Sequence, residues 1–505
     1  MKILPIDKIR EADEYTIKNE PISDIDLMER AALELYEWMT DNIDSKKQIR
    51  IFCGLGNNGG DGYALGRMLA GAGFKVHIFT VWFTDKMSPG CETNYERAKS
   101  TRGLVMVDLH ENDELPEIGE QEVVIDALFG SGLSRPVKKF PGRVVDHIND
   151  SNALVVAIDA PSGLFADKSN TDNDGSIIRA DYTLTFQFPK QGFLFPENDP
   201  FVGQWEVLPI GLHPDFINRL EVSNFFLTGN MLAPVLKNRT KYSHKGTYGH
   251  GLLIAGGYGK MGAAVLAARA GLRSGAGLIT AHIPTTGNRV MQTANPEVMV
   301  SHDEDDYKFT HHPDLSKFNA IAIGPGLGTD EQTANGIKVL IQDTGLPIIF
   351  DADAINILGE NKTWISFIPK ESIFTPHPKE FERLVGKSSN NFDRFEMQRE
   401  FSIKHQVYVI LKGAHTAISC PDGKVYFNST GNPGMATGGS GDVLTGILLG
   451  LKAGGYTSKE TCLLGVYLHG LAGDFAAQKK GFESLIAGDI TSNLNKAFKR
   501  LRKLR

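Results

Sequence analysis

The sequence predicts an α/β chain of two domains, and three observations predict it. The chain has 505 residues, more than one hydrophobic core ordinarily organises. Short apolar strands that run into glycine-rich turns and then into helices recur in both halves. The composition, 41% hydrophobic and 22% charged, is that of a globular protein, and its 54 glycines supply the tight turns that ligand loops of α/β folds use.

In the N-terminal half, residues 6–20 and 24–42 carry helical periodicity. Met28, Ala31, Ala32, Leu35 and Met39 form one apolar face, with Asp24 expected as the cap. Residues 49–53 read as a buried strand that enters the turn GLGNNGGDG at 54–62, followed by a helix through Leu69. Strand, glycine turn and helix open a Rossmann-like unit. Gly54, Gly56 and Gly59 satisfy GxGxxG, but the acid that would hold a ribose is out of place, because Asp85 lies beyond the next strand, 75–81. Asn57 and Asn58 instead bring amide oxygens, which suit a hard cation or a polar ligand.

Two further strands, 123–125 and 154–158, end at Asp126 and Asp159 and run into ALFGSGLSRP and APSG. Ligands gather at the carboxyl ends of parallel strands, so Asn58, Asp126, Asp159 and Ser162 are expected to open onto one crevice. The alternative for each is a cap or a turn. A strand at 182–188 and an aromatic, Pro- and Gly-rich packed loop at 192–205 complete this half.

Residues 212–232 show no clear period and hold the boundary. A strand at 252–255 then leads into GGYGKMGAAVLAARAGLRSGAG, where Gly262, Ala263 and Ala264 permit close packing or close approach of a ligand. Strands at 321–323, 348–350 and 409–411 precede GPGLG at 324–328, DADAIN at 351–356 and KGAHT at 412–416. The acids of DADAIN could support a metal or water, and Lys412 brings a cation to a turn of bare N–H groups. TPHPKEFERL at 375–384 places His377 and Glu380 three apart.

The run GNPGMATGGSGDVLTG, 431–446, is the most informative stretch. Gly438, Gly439 and Gly441 bare the backbone around Ser440, and Val443, Leu444, Ile447, Leu448 and Leu451 repeat at helical spacing. A glycine turn at a helix start is an anion site, most naturally for phosphate. A carboxylate at Asp442 repels an anion, so it either caps the helix or accepts a proton from a substrate hydroxyl during phosphoryl transfer.

The net charge of −7 disfavours nucleic-acid binding as the main task. The four cysteines, Cys53, Cys91, Cys420 and Cys462, form no CxxC pair, which points to a reducing cytoplasm rather than to a disulfide framework or zinc site. The N-terminus carries charges throughout with no apolar signal core, and no run is apolar enough for a membrane span. The basic tail AFKRLRKLR reads as a solvated helix end.

The motifs at 57–62, 126–136 and 159–163 resemble the NAD(P)H-hydrate epimerase family over roughly residues 1–220. The resemblance implies a Rossmann-like α/β/α sandwich. It implies a K⁺ site from Asn58, Asp126 and Ser162. It implies that Asn57, Asn58, Gly59, Gly60 and Asp61, with Gly130, Ser131, Gly132, Leu133, Ser134, Arg135 and Pro136, hold the hydrated nucleotide. Asp159 would contact that nucleotide near the reacting carbon and give and take its proton.

The motifs of residues 225–505 resemble the ribokinase-like NAD(P)H-hydrate dehydratases, with Ser440 where the family commonly has Thr and Lys379 where it commonly has Gly. This resemblance implies a ribokinase-like α/β domain in which Ala264, Gly326, His377 and Asp442 meet the hydrate. Lys412, Gly413, Ala414, His415, Thr416 and Gly441 would bind the adenine nucleotide, with Asp442 as base and Glu380 placing Mg²⁺ through water. It further implies ADP as co-substrate, the S hydrate as the form dehydrated, and AMP and phosphate as products.

Hydroxide leaves poorly and phosphate well, so phosphorylating the hydrate hydroxyl prepares its loss. Two rival readings remain: a plain hydroxyl kinase and a non-catalytic dinucleotide sensor. The partners expected are small molecules, with neither nucleic acid nor membrane, and aromatic loops hint at a homo-oligomer.

Overall fold

The computed structural model describes residues 1–505, and these divide into two compact units, essentially 2–222 and 223–505. The first is built on a sheet whose strands are all parallel. Their spatial order is Val105–Leu109, Lys75–Val81, Gln48–Cys53, Val123–Ala127, Leu154–Ile158, Tyr182–Phe186 and Gln204–Leu208. Chain order reverses between Gln48–Cys53 and Val123–Ala127, and such a reversal leaves a crevice at the strands' carboxyl ends. Val123–Ala127 is buried throughout and Gln48–Cys53 over its last three residues, because helices cover both faces there, while Gln48 and Arg50 stay half-exposed.

The second unit repeats the plan. Its parallel strands run Met299–His302, Leu278–Ile283, His250–Ile254, Ala320–Ile323, Ile348–Phe350, Ile373–Phe374 and Tyr408–Leu411. The reversal here falls between His250–Ile254 and Ala320–Ile323. Ala417–Ser419 and Val425–Asn428 extend the sheet antiparallel, and Asn224–Leu227 pairs parallel with the last of them. Helix Ser440–Ala453 lies against Met261–Arg273 so closely that a methyl at Gly446 would collide with the Ala267 carbonyl oxygen. That contact fixes how closely the two helices pack.

Several expectations are corrected. The helix predicted to start after the turn 54–62 begins at Asn57, so the second asparagine and the glycines that follow are its first turns. Asp24 is not the cap of Asp24–Asn42. Ser23 is, in a reciprocal capping box with Asp26. The strand expected over 182–188 stops at Phe186. The segment 192–205 holds 3₁₀ turns, the short helix Asp199–Val202 and the start of the strand Gln204–Leu208. That strand is half exposed at the sheet edge, so it lacks the apolar run that marks its neighbours. Residues 212–232 contain helix Pro214–Arg219 and strand Asn224–Leu227, both too short to show a period.

Candidate functional sites

At the reversal of the N-terminal sheet lies a cleft of about 580 Å³. Asn57, Asn58 and Asp61 line it from one helix start, Gly130 to Arg135 from the loop after Val123–Ala127, and Asp159 from the end of Leu154–Ile158. Gly59 and Gly60 are buried within the helix, and Pro136 lines a neighbouring hollow with Arg135. Asp159 has φ +63°, a left-handed backbone that costs a non-glycine residue energy and is over-represented at functional sites.

The Asp159 carboxylate accepts from the Ser131 N–H at 3.0 Å and from Thr185 Oγ1 at 3.3 Å, and Lys190 Nζ sits 2.9 Å from its Oδ1. Lys190 is 1% exposed. Burial alone would raise the Asp159 carboxyl, but the Lys190 charge and the Ser131 hydrogen bond outweigh it and hold the group below its ordinary range.

Asp126 and Ser162 lie beneath the cleft floor, both fully buried. Ser162 donates its Oγ–H to Asp126 Oδ1 at 2.6 Å and its N–H to Oδ2 at 2.7 Å, and the Leu128 N–H adds a third bond at 3.2 Å. No cationic side chain pairs with Asp126, and burial pushes it up to about 6. The Asn58 Nδ2, also buried, has no hydrogen-bond partner. An unneutralised buried carboxylate among oxygens fits a hard monovalent cation, which Asn58 would meet through its amide oxygen, since the Nδ2 is a donor and no ligand.

In the second unit the carboxyl ends of five strands converge. Asp351 is buried at the start of Ala352–Glu360. Its Oδ1 accepts from Thr375 Oγ1 at 2.7 Å and from Lys412 Nζ at 3.1 Å, and its Oδ2 accepts from Thr445 Oγ1 at 2.8 Å. Burial would lower Lys412, but the Asp351 and Glu380 charges hold it above its ordinary value. Lys412 and Thr416 bound the turn between two antiparallel strands, where Thr416 Oγ1 donates to the Gly413 carbonyl at 2.9 Å and His415 Nδ1 lies 3.2 Å from the Asn428 carbonyl oxygen. Ala414 sits in the same turn, half-buried to exposed like its neighbours.

Helix Ser440–Ala453 starts from Gly439, which has φ +89° and makes no side-chain cap. Asp442 is therefore not the cap; it stands in the first turn, half-buried and without a protein hydrogen bond. Burial pushes it up to about 6, with the Asp351 charge adding and Lys412 opposing. Lys412 Nζ would lie 3.5 Å from a methyl on Gly441, so cation, helix start and carboxyl share one place. Behind them His469 Nε2 lies 3.0 Å from the Ser440 carbonyl, and burial lowers this imidazole to about 4. Gly326, at φ +68°, packs beside Lys260 and Ala263.

The family comparisons meet this geometry at both ends. Residues 251–496 match the family described as NAD(P)H-hydrate dehydratase, and residues 24–192 the family described as YjeF-related protein N-terminus. The bifunctional NAD(P)H-hydrate repair enzyme Nnr of Moorella thermoacetica is 36% identical over 93% of this chain and 91% of its own. This chain belongs to the bifunctional NAD(P)H-hydrate repair enzymes. It carries an epimerase and a dehydratase domain and repairs hydrated NADH and NADPH.

The Nnr of Thermofilum pendens is 35% identical over 99% of this chain and 97% of its own. A ribokinase-like superfamily protein from Enterococcus faecalis V583, 28% identical with a TM-score of 0.50, covers 56% of this chain and 98% of its own.

Within this repair enzyme the fold brings forward residues that the sequence reading missed and gives others of its residues structural surroundings that it did not foresee. Lys190 and Thr445 gave no signal, because a lone lysine near a turn and a threonine inside a helix look ordinary until the fold brings each to an aspartate. Glu380, expected to place Mg²⁺, is buried and spent on a cap: its Oε2 accepts from the His377 N–H at 2.8 Å, while His377 Nδ1 accepts from the Lys379 N–H at 3.1 Å. Lys379 fits this helix start without distortion, since Pro378–Val385 runs regularly through it. Ala264 is fully buried under Gly256 and presents no surface to a ligand.

Proposed function

We propose that Asp442 is the base of the dehydratase and Asp159 a proton-transfer group of the epimerase. The observation that carries the first assignment is the uncommitted Asp442 carboxyl: an acid at a helix start that does not cap has no structural task there. Next to Lys412 and the bare N–H groups of the 438–441 turn, it can accept the hydrate's hydroxyl proton as that oxygen attacks a phosphoryl group. Lys412 and the helix dipole stabilise the charge on the transferring oxygens, and the loss of phosphate then restores the nicotinamide ring.

ADP is the co-substrate of this reading, with AMP and phosphate as products. Lys412, Gly413, Ala414, His415, Thr416 and Gly441 hold the nucleotide, and Gly326 and His377 the hydrate. Magnesium fits here as an ion brought with the nucleotide. Asp351 is already saturated, and Asp353 Oδ2 takes the Gly328 N–H at 2.8 Å, so the ion would be held chiefly by the nucleotide's own phosphate oxygens and Asp442 would stay free as the base. There it would offset phosphoryl charge.

In the N-terminal unit, inversion requires hydroxide to leave the hydrated carbon and return on the opposite face. The lone pair of the adjacent ring nitrogen drives departure, and Asp159 moves the proton. Asn57 to Asp61 and Gly130 to Pro136 hold the nucleotide. Asn58, Asp126 and Ser162 hold K⁺, which supplies the positive charge that Asp126 lacks.

No helix is long and apolar enough to cross a membrane, and the four cysteines are all free and buried; we read the protein as cytoplasmic. The deciding assay supplies hydrated NADH with ADP and magnesium and follows recovery of dihydronicotinamide absorbance. Asp442→Asn is expected to abolish recovery from either epimer while leaving epimer exchange intact. A stable phosphorylated product, or undiminished recovery in that variant, would defeat the assignment.

A further inference from the structure

The N-terminal cleft holds two acids besides Asp159. Asp13 on helix Ile6–Asn19 and Asp61 on helix Asn57–Gly71 line it together with Asp159. Asp159 is committed to Lys190, Ser131 and Thr185. Neither Asp13 nor Asp61 hydrogen-bonds or ion-pairs with any protein group, although Asp61 is 8% exposed and Asp13 half-buried. Desolvating two carboxyls without partners is costly, and it is tolerated where a ligand supplies the missing contact.

Epimerisation at one carbon gives these acids a task. The two hydrates carry their hydroxyl on opposite faces of the same ring. A carboxyl fixed on one face reaches the oxygen of one epimer only, so departure and return on opposite sides call for a proton-transfer group on each side. Asp159 comes from a strand end and Asp13 from the first helix, so they approach the cleft from different elements.

We propose that Asp13 is the second proton-transfer group of the epimerase, serving the hydroxyl of one epimer while Asp159 serves the other. The inference rests on the epimerase reading of this cleft. In one direction the carbon–oxygen bond breaks, its electron pair leaves with oxygen, and the Asp13 proton completes a water molecule. The ring nitrogen's lone pair becomes the carbon–nitrogen π bond of an iminium ion. Water then adds to the other face, and its surplus proton passes to the Asp159 carboxylate. Proton exchange between the two carboxyls through cleft water resets the pair, and no electron is gained or lost.

Asp13 is suited to this by its surroundings. Burial, then the charge of Asp159, push it up to about 7, while Lys190 opposes and Asp24 and Glu14 add. Arg10 and Asp61 also line the cleft beside it. An acid near neutrality, sharing the cleft with a base held ionised by Lys190, lets the pair carry one transferable proton.

The test uses the full chain and follows exchange of purified hydrate epimers by chromatography, with dehydration of the S hydrate as an internal control of the second domain. Asp13→Asn is expected to lower epimerisation kcat by about 10²–10⁴-fold with KM changed by less than about threefold. Its residual rate should no longer fall as pH rises through 7, as the unmodified enzyme's should. Asp13→Glu, which restores a carboxyl, is expected to recover at least about a tenth of the rate. An Asp13→Asn enzyme with kcat within about threefold of the parent overturns the proposal. So does an effect confined to KM, or equal loss in the Asn and Glu variants, either of which marks a structural role. If the unmodified chain exchanges no epimers, the reading of the cleft itself fails. If it does and Asp159→Asn is inactive while Asp13→Asn is not, only this inference fails.

Discussion

Lys190 decides what Asp159 is at neutral pH. The pair is nearly sealed from solvent, with Lys190 also bound to the Phe186 and Phe188 carbonyls at 3.2 Å each. Removing one partner of such a pair strands the other, a loss of about 3–5 kcal/mol. Lys190→Met is therefore expected to lower urea stability of the N-terminal unit by that order near pH 7. The sign of its pH dependence follows from the depressed Asp159 carboxyl. The stabilisation is fully present above the ordinary carboxylate range and is lost as pH falls through the depressed value, so variant and parent should converge in acid.

Asp442 shows the opposite shift. Raised to about 6, it is ionised at neutral pH and becomes protonated as pH falls. A base must be ionised to act, so on the proposed role kcat/KM for dehydration is expected to rise with pH through about 6 and then level. A pH–rate profile of the second domain checks this, and an acid limb unchanged in an Asp442→Glu variant would assign it elsewhere.

At the scale of elements, both sites depend on where helices start. Helix Ser440–Ala453 is anchored by contact of bare backbone with Met261–Arg273, and a side chain at Gly446 would meet the Ala267 carbonyl and Ala270 Cβ. Gly446→Ala must push the helices apart. The expected cost is about 1–3 kcal/mol of overpacking, read as a lower unfolding midpoint. Because the helix start carries Asp442, dehydration should fall with it while epimerisation persists. In the first unit the analogous element is Asn57–Gly71, whose opening residues line the cleft because the helix begins earlier than its glycines suggest. Glycine is a poor helix former, so its clustering reads as a turn. Here close packing wins: a methyl on Gly62 would lie 2.6 Å from Ala127 Cβ.

At the scale of the molecule, two sheets with the same reversal of strand order serve two steps on one substrate. Each unit has its own buried core. Separate expression of residues 1–222 and 223–505 is expected to give an epimerase and a dehydratase, with mixed halves recovering the repair of both hydrates. Loss of both activities on separation would show that neither unit folds alone.

What the sequence by itself determined is the local grammar: apolar strands, glycine turns at their ends, helices after them, and the acids Asp126, Asp159, Asp351 and Asp442 at those junctions. Periodicity and turn chemistry are short-range, so they survive in one dimension, and the family motifs lie almost entirely within them. Only the tertiary structure decided which of these acids is paired, sealed or free. Lys190 reaches Asp159, Thr445 reaches Asp351, and Asp13 reaches the cleft from the first helix, each across a stretch of chain that carries no record of the meeting. Ionisation depends on burial and on charges brought near through space, and those are properties of the folded sheet rather than of spacing along the chain.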